Sequence, residues 1–260
     1  MTLNGIDVSS YQKNLNVANY PCDFVICKAT EGTVYVNPVC DMHYQQAKAI
    51  GKLLGVYHYA RPDTGNSAVA EADYFLGNIK GYIGEAVLAL DLECSGWQNF
   101  STWAKAWLDR VYAKTGIRPL FYSPGAGFQN FKNMLNAGNY GVWACSADSY
   151  YNGSTIVMKQ SVYDNLDHDV FYGDKNAWMK YANPAGPAEV IAHHPQAAHD
   201  SNGFRVGDTV RVTNAVTYDG KPFKTWFSKY TVMEVSGERI VIGVNGVVTA
   251  AVNSKNIMHA

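Results

Sequence analysis

The sequence predicts an α/β protein, a modified (β/α) barrel followed by a second, small all-β barrel. Three observations predict it. Over the first 185 or so of the 260 residues, eight short apolar runs alternate with helix-like segments. The helical segments fade after the fifth run. Beyond a stretch rich in Ala, Pro and His, the remaining pattern is β throughout.

The strand-like runs are Gly5–Val8, Phe24–Ala29, Leu53–Tyr59, Ala86–Leu92, Pro119–Tyr122, Gly141–Cys145, Thr155–Gln160 and Leu166–Phe171. Strand–helix alternation argues for a parallel sheet, and eight strands argue for closure. The clearest helix covers Ser101–Lys114. There Phe100, Trp103, Ala104, Trp107, Leu108, Val111 and Tyr112 recur at the spacing of one helical face. Gly116 stands where a C-terminal cap belongs. Val39–Ile50, closed by Gly51, and Ser67–Ile79 are weaker helical patterns. The last three runs lie too close together for full helices between them, which points away from a regular eightfold barrel.

From Asn183 to His199 no period is visible, so a linker is expected over 184–202, between domains 1–183 and 203–260. In the second domain Val206–Val212 reads as a turn feeding an alternating strand. Tyr230–Val235 and Arg239–Val244 flank the turn residues Ser236-Gly237-Glu238, and Val247–Val252 with a short end near Asn256-Ile257 follow.

Hydrophobic residues at 47% against 17% charged suit a folded chain with a large core. A net charge of -1 removes any general pull toward nucleic acid. Residues 201–260 carry seven Lys and Arg against four Asp and Glu, a mildly basic balance suited to an anionic partner. Aromatics, at 13%, suit both a sugar-binding cleft and an ordinary core, so they decide nothing alone. The five cysteines, Cys22, Cys27, Cys40, Cys94 and Cys145, show no metal-ligand spacing and read as reduced thiols. Met1-Thr2-Leu3-Asn4-Gly5 has neither a basic nor an apolar signal region, and no run of about 18 apolar residues is present. A cytosolic site of synthesis and no membrane insertion are therefore expected.

The most informative segment is Ala86-Val87-Leu88-Ala89-Leu90-Asp91-Leu92-Glu93, a buried strand ending in two carboxylates. Side chains alternate along a strand, so Asp91 and Glu93 share a face. At the C-terminal rim of a barrel, two such groups repel and one is driven to hold a proton. Glycosidic cleavage needs a proton-bearing acid beside an ionised partner. The plainer alternative is a strand that ends in acidic residues at a solvent edge. Asp7, near the end of the first run, and Asp167, in the last, are expected to join the pair, because closure sets first and last strands side by side.

Taken together, Gly5-Ile6-Asp7-Val8-Ser9, Phe24 to Gly32, Gly55-Val56-Tyr57-His58-Tyr59, Leu90-Asp91-Leu92-Glu93 and Leu166 to Phe171 resemble glycoside hydrolase family 25, the Chalaropsis-type lysozymes of bacteria and phage endolysins. The resemblance implies five βα units plus three strands, and hydrolysis of the β-1,4 bond from N-acetylmuramic acid to N-acetylglucosamine in bacterial peptidoglycan. It implies Glu93 as general acid, Asp91 as the partner that positions the N-acetyl group or stabilises positive charge, and Asp7 and Asp167 as supporting carboxylates. No metal or organic cofactor is implied, and the stereochemical outcome stays open. Asp169 stands where the family commonly has Asn, leaving two candidates for the last rim position, of which Asp167 is favoured. Tyr57, Tyr59, Tyr122 and Trp143, near strand ends, are candidates for stacking on sugars, with core packing as the alternative. Lys28 and Glu31 read equally as an ion pair or a substrate contact, and His58 as a hydrogen-bonded core histidine, with a catalytic role as the alternative.

Residues 203–260 resemble, more loosely, a bacterial SH3-like barrel of the kind fused to phage lysins, through Val206–Val210 and the aromatics Tyr218, Phe223, Trp226, Phe227 and Tyr230. That resemblance implies binding of wall peptide or glycan, with Tyr218, Phe223, Trp226 and Tyr230 as candidates. It also implies a phage-type release from the host cytosol through a holin pore.

Overall fold

The structure is a computed structural model and describes residues 2–163, 166–184, 203–225, 227–244 and 247–260. The chain divides into two compact units, Met1–Pro187 and Ala188–Ala260. All but the first residue of the expected linker lies outside the described residues, as does Trp226. Among the described residues no helix is long and apolar enough to cross a membrane.

In the first unit the strands are β1 (Leu3–Val8), β2 (Phe24–Glu31), β3 (Tyr35–Val36), β4 (Leu53–Tyr59), β5 (Ala86–Asp91), β6 (Leu120–Ser123), β7 (Val142–Ala144), β8 (Ile156–Tyr163) and β9 (Leu166–Phe171). Apart from the two-residue β3, which pairs only with the end of β2, they form a ring closed by the β1–β2 and β1–β9 pairings. The wholly parallel sheet expected from strand–helix alternation is corrected at one place. β9 runs antiparallel to both β8 and β1, because too few residues separate it from β8 for a crossover.

The helices are α1 (Cys40–Ala49), α2 (Ala68–Asn78), α3 (Ser101–Thr115), α4 (Gln129–Gly138) and α5 (Lys175–Ala182). The first four are crossovers after β2–β3, β4, β5 and β6. The β1–β2 connection instead uses two short 3-10 turns, and α5 follows the last strand. Local chemistry sets several ends. Ser67 Oγ accepts from the Ala70 N–H at 3.2 Å to start α2, and Gly116 at φ 72° ends α3.

Inward-facing side chains, among them Phe24, Ile26, Val87, Ala89, Leu120, Met158 and Phe171, fill the ring. The alternate set, including Ile6, Val25, Leu54, Val56, Leu88 and Leu90, packs beneath the helices. Trp178 of α5 lies against Phe24 at 4.4 Å and Phe171 at 5.1 Å between ring centroids. Phe24 begins β2 and Phe171 ends the reversed β9, so α5 closes the barrel at the end opposite Asp91. Close packing there dictates Gly5, where a Cβ would lie 2.2 Å from the Phe24 ring.

The second unit carries β10 (Thr209–Val212), β11 (Tyr230–Ser236), β12 (Arg239–Val244), β13 (Val247–Asn253) and β14 (Ile257–His259), all antiparallel in the order β13-β12-β11-β10-β14. The expectation of an SH3-like barrel is overturned, because this sheet is open: β13 and β14 do not pair among the described residues. The three-residue β14 is taken up by β10. The outer edge of β13 is met instead by a single bridge from Thr217 to Val252 and by the Tyr218 N–H donating to Ala251 O at 2.7 Å. Val210, Tyr230, Val232, Ile240, Ile242 and Val252 form the core of this unit.

Candidate active site

The site grows out of strand ends. Asp7 lies near the end of β1, Asp91 ends β5, and Glu93 follows two residues later. Because β9 is reversed, its beginning meets the ends of the parallel strands, and Asp167 sits directly opposite Asp7 in the β1–β9 ladder. Asp91 pairs in register with Tyr59 on one side and Tyr122 on the other, and Tyr122 pairs with Trp143. Tyr57 lies two residues before Tyr59, deeper in the barrel.

Seven of the eight residues expected at the site line one cavity of about 250 Å³: Asp7, Tyr57, Asp91, Glu93, Tyr122, Trp143 and Asp167. Tyr59 is not part of the lining. Its ring is half-buried beneath the Lys28 ammonium, with Nζ 4.5 Å from the ring centroid. Lys28 also binds Glu31 at 2.7 Å, and Arg61 reaches Glu31 at 3.0 Å, so the ion pair is present. His58 faces the helices instead. It is fully buried, with Nδ1 2.8 Å from Thr30 Oγ1 and Nε2 2.8 Å from Glu71, and it stacks on Trp107.

Gln160 is the residue that sequence reasoning missed. Its Nε2 donates to Asp7 Oδ2 at 2.7 Å and its Oε1 accepts from the Tyr122 hydroxyl at 2.7 Å. Only its even spacing from Met158, another inward-facing residue, hinted at this place. Asp167 lines the cavity, whereas Asp169 lies one layer deeper, buried, accepting from Trp143 Nε1 at 2.8 Å.

Burial dominates the electrostatics. Asp7 is pushed up to about 7, first by burial and then by Asp167, against the Gln160 hydrogen bond. Asp91 is held well above the usual carboxylate range by burial, then by Glu93 and Asp7. Its Oδ1 is enclosed and meets no hydrogen-bond donor among the described residues. Glu93, more open to solvent, is also raised by burial, opposed by Lys28 and reinforced by Asp167. The arrangement is an exposed carboxyl, Glu93, beside a buried one, Asp91, both raised by burial, in a cavity edged by aromatic side chains. Among the described residues no group of three His, Cys, Asp or Glu side chains is arranged to hold a metal ion.

In the second unit Tyr218 and Phe227 are exposed and Phe223 packs partly against the core. Tyr230, expected as a wall contact, is 2% exposed, because its place on β11 points it into the core.

Residues 6–178 match the model of the glycosyl hydrolases family 25. The chain is 39% identical over 154 residues to the N,O-diacetylmuramidase of Chalaropsis sp, a match covering 52% of this chain and 72% of that protein. It is 36% identical over 137 residues to the N,O-diacetylmuramidase of Arthroderma benhamiae, covering 47% of this chain and 57% of the other. The bacterial lysozyme of Streptomyces coelicolor superposes with a TM-score of 0.61 at 26% identity, covering 71% of this chain and 98% of that one. With the family model spanning well over half of its residues, the chain belongs to the glycosyl hydrolases of family 25.

Proposed function

We propose that the chain is a muramidase, hydrolysing the β-1,4 bond between N-acetylmuramic acid and N-acetylglucosamine of bacterial peptidoglycan, with Glu93 as general acid. The observation that carries the mechanism is the Asp91/Glu93 pair: two carboxyls on one face at the barrel rim, one buried and one open. Glu93, whose carboxyl is raised above the ordinary glutamate range by burial and Asp167 against Lys28, gives its proton to the leaving glycosidic oxygen. Asp91, whose carboxyl lines the same cavity, is placed to accept from the amide N–H of the N-acetyl group. Asp7 and Asp167 add negative potential where positive charge builds on the sugar. Tyr122 edges the cavity, and Trp143, 2% exposed, packs behind it in the core rather than presenting a face to the sugar. The names of the relatives, both N,O-diacetylmuramidases, support the substrate assignment.

Mass analysis of fragments released from purified peptidoglycan tests this reading. Muramic acid at the new reducing ends is the expected result. Glucosamine there would make the chain a glucosaminidase, and no release from several wall types would remove the enzymatic reading.

The second unit, in the same proposal, holds the enzyme on the wall and so raises the local concentration of substrate. Exposed Tyr218 and Phe227 support a binding role. Tyr218→Ala is expected to lower the fraction of protein that pellets with purified walls, with hydrolysis of soluble fragments unaltered. Equal pelleting of variant and wild type would remove Tyr218 from the binding surface.

A further inference from the structure

Beneath the cavity floor, two buried carboxyls meet across the β1–β9 ladder. Gly5 is opposite Asp169 and Asp7 opposite Asp167, so Asp7 and Asp169 are diagonal neighbours on the inward face. They are 6% and 1% exposed.

Each carboxyl has one oxygen engaged by a donor whose orientation is dictated. Gln160 Oε1 accepts from the Tyr122 hydroxyl, which turns its amide nitrogen toward Asp7 Oδ2. The indole N–H of Trp143, which can only donate, is on Asp169 Oδ1. Asp169 also lies within hydrogen-bond reach of Asp7, while its Oδ2 is enclosed and meets no N–H or O–H donor among the described residues. Two ionised carboxylates in this contact would repel, with an acceptor facing an acceptor in a dry interior.

The titratable groups around the pair are Asp167 on β9, Glu93 and Asp91 on β5, Tyr57 on β4 and Cys27 on β2. None of these is a cation. A proton is what reconciles the contact.

We propose that Asp169 is a positioning residue that shares one proton with Asp7 in a hydrogen bond between the two carboxyls and so fixes Asp7 at the cavity wall. Trp143 holds Asp169 from behind, Gln160 holds Asp7 from the side, and the shared proton joins them. No bond is made or broken beyond exchange of that proton with solvent. The effect on turnover rests on the muramidase reading above; the proton itself does not.

The test compares wild type, Asp169→Asn and Asp169→Leu at about pH 6. Difference infrared spectra of wild type against Asp169→Asn are expected to show the C=O band of a protonated carboxylic acid that the variant lacks. Asp169→Leu, which keeps the bulk and loses the donor, is expected to lower kcat about tenfold or more with KM little moved. Asn presents an N–H from the same place and is expected to restore the larger part of that loss. Absence of the acid band, or an Asn variant as impaired as the Leu variant, would overturn the proposal. If Asp169→Leu does not fold, the band and the rate of Asp169→Asn relative to wild type decide. A wild type that shows the band and releases no muramic acid would sink the muramidase reading alone.

Discussion

Glu93→Gln is expected to lower kcat for reducing-sugar release from purified peptidoglycan by about 10²–10⁴-fold, the usual contribution of a positioned general acid. Gln keeps the size of the side chain and cannot give up a proton, so KM should move little. The pH profile carries the more specific signature. Burial and Asp167 raise Glu93, while Lys28 opposes them, so the acid keeps its proton above the ordinary glutamate range. Wild-type activity therefore falls on the alkaline side as Glu93 ionises, and the residual activity of the variant should lack that limb. Parallel profiles in the two proteins would mean that another group donates the proton.

Asp7→Asn is expected to act in opposite directions on activity and stability. Removing an anion from the cavity wall should lower kcat by about tenfold or more. Stability should rise. A carboxyl moved from 3.8 to about 7 holds a proton in the folded state that the unfolded chain has already released. Its contribution is intact below about pH 4 and is lost as pH rises through about 7, reaching a cost of up to about 4 kcal/mol. Asn removes this dependence, and its amide meets the same neighbours: the oxygen accepts from Gln160 and the nitrogen faces Asp169. Each kcal/mol recovered should raise the melting temperature of a domain this size by roughly 2–4 °C. Thermal melts from about pH 4 to pH 8 should show the gap over wild type opening with pH. A constant gap, or a variant less stable at pH 8, would remove the account of Asp7 as a strained buried acid. Together the two variants separate roles: Glu93 supplies a proton at the mouth, and Asp7 holds a charge that the fold resists.

What the sequence by itself determined was whatever depends on local period and end signals. Leu53–Tyr59 and Leu166–Phe171 were legible to the residue as β4 and β9, since apolar runs bounded by turns define strands. The face of α3 was legible because Ala104, Trp107, Leu108 and Val111 recur at helical spacing and are all buried. Asp91 and Glu93 were legible as a pair because alternation sets both on one face whatever the sheet does next.

Only the tertiary structure decided direction, closure and company. A period of two is the same for a strand running either way, so nothing local showed that β9 is reversed, although that reversal carries Asp167 to the rim. The α4 helix was missed because Phe131, Met134 and Leu135 are spread among asparagines and hold together by packing on Trp97 and Phe121. An open second sheet, and the burial of Tyr230 within it, follow from which edges find partners. Gln160 acquires its role from Asp7, 153 positions away, and Asp169 from Trp143 and Asp7. Charge, burial and hydrogen-bond partners are properties of a place in space, and chain order assigns that place only after the barrel has closed.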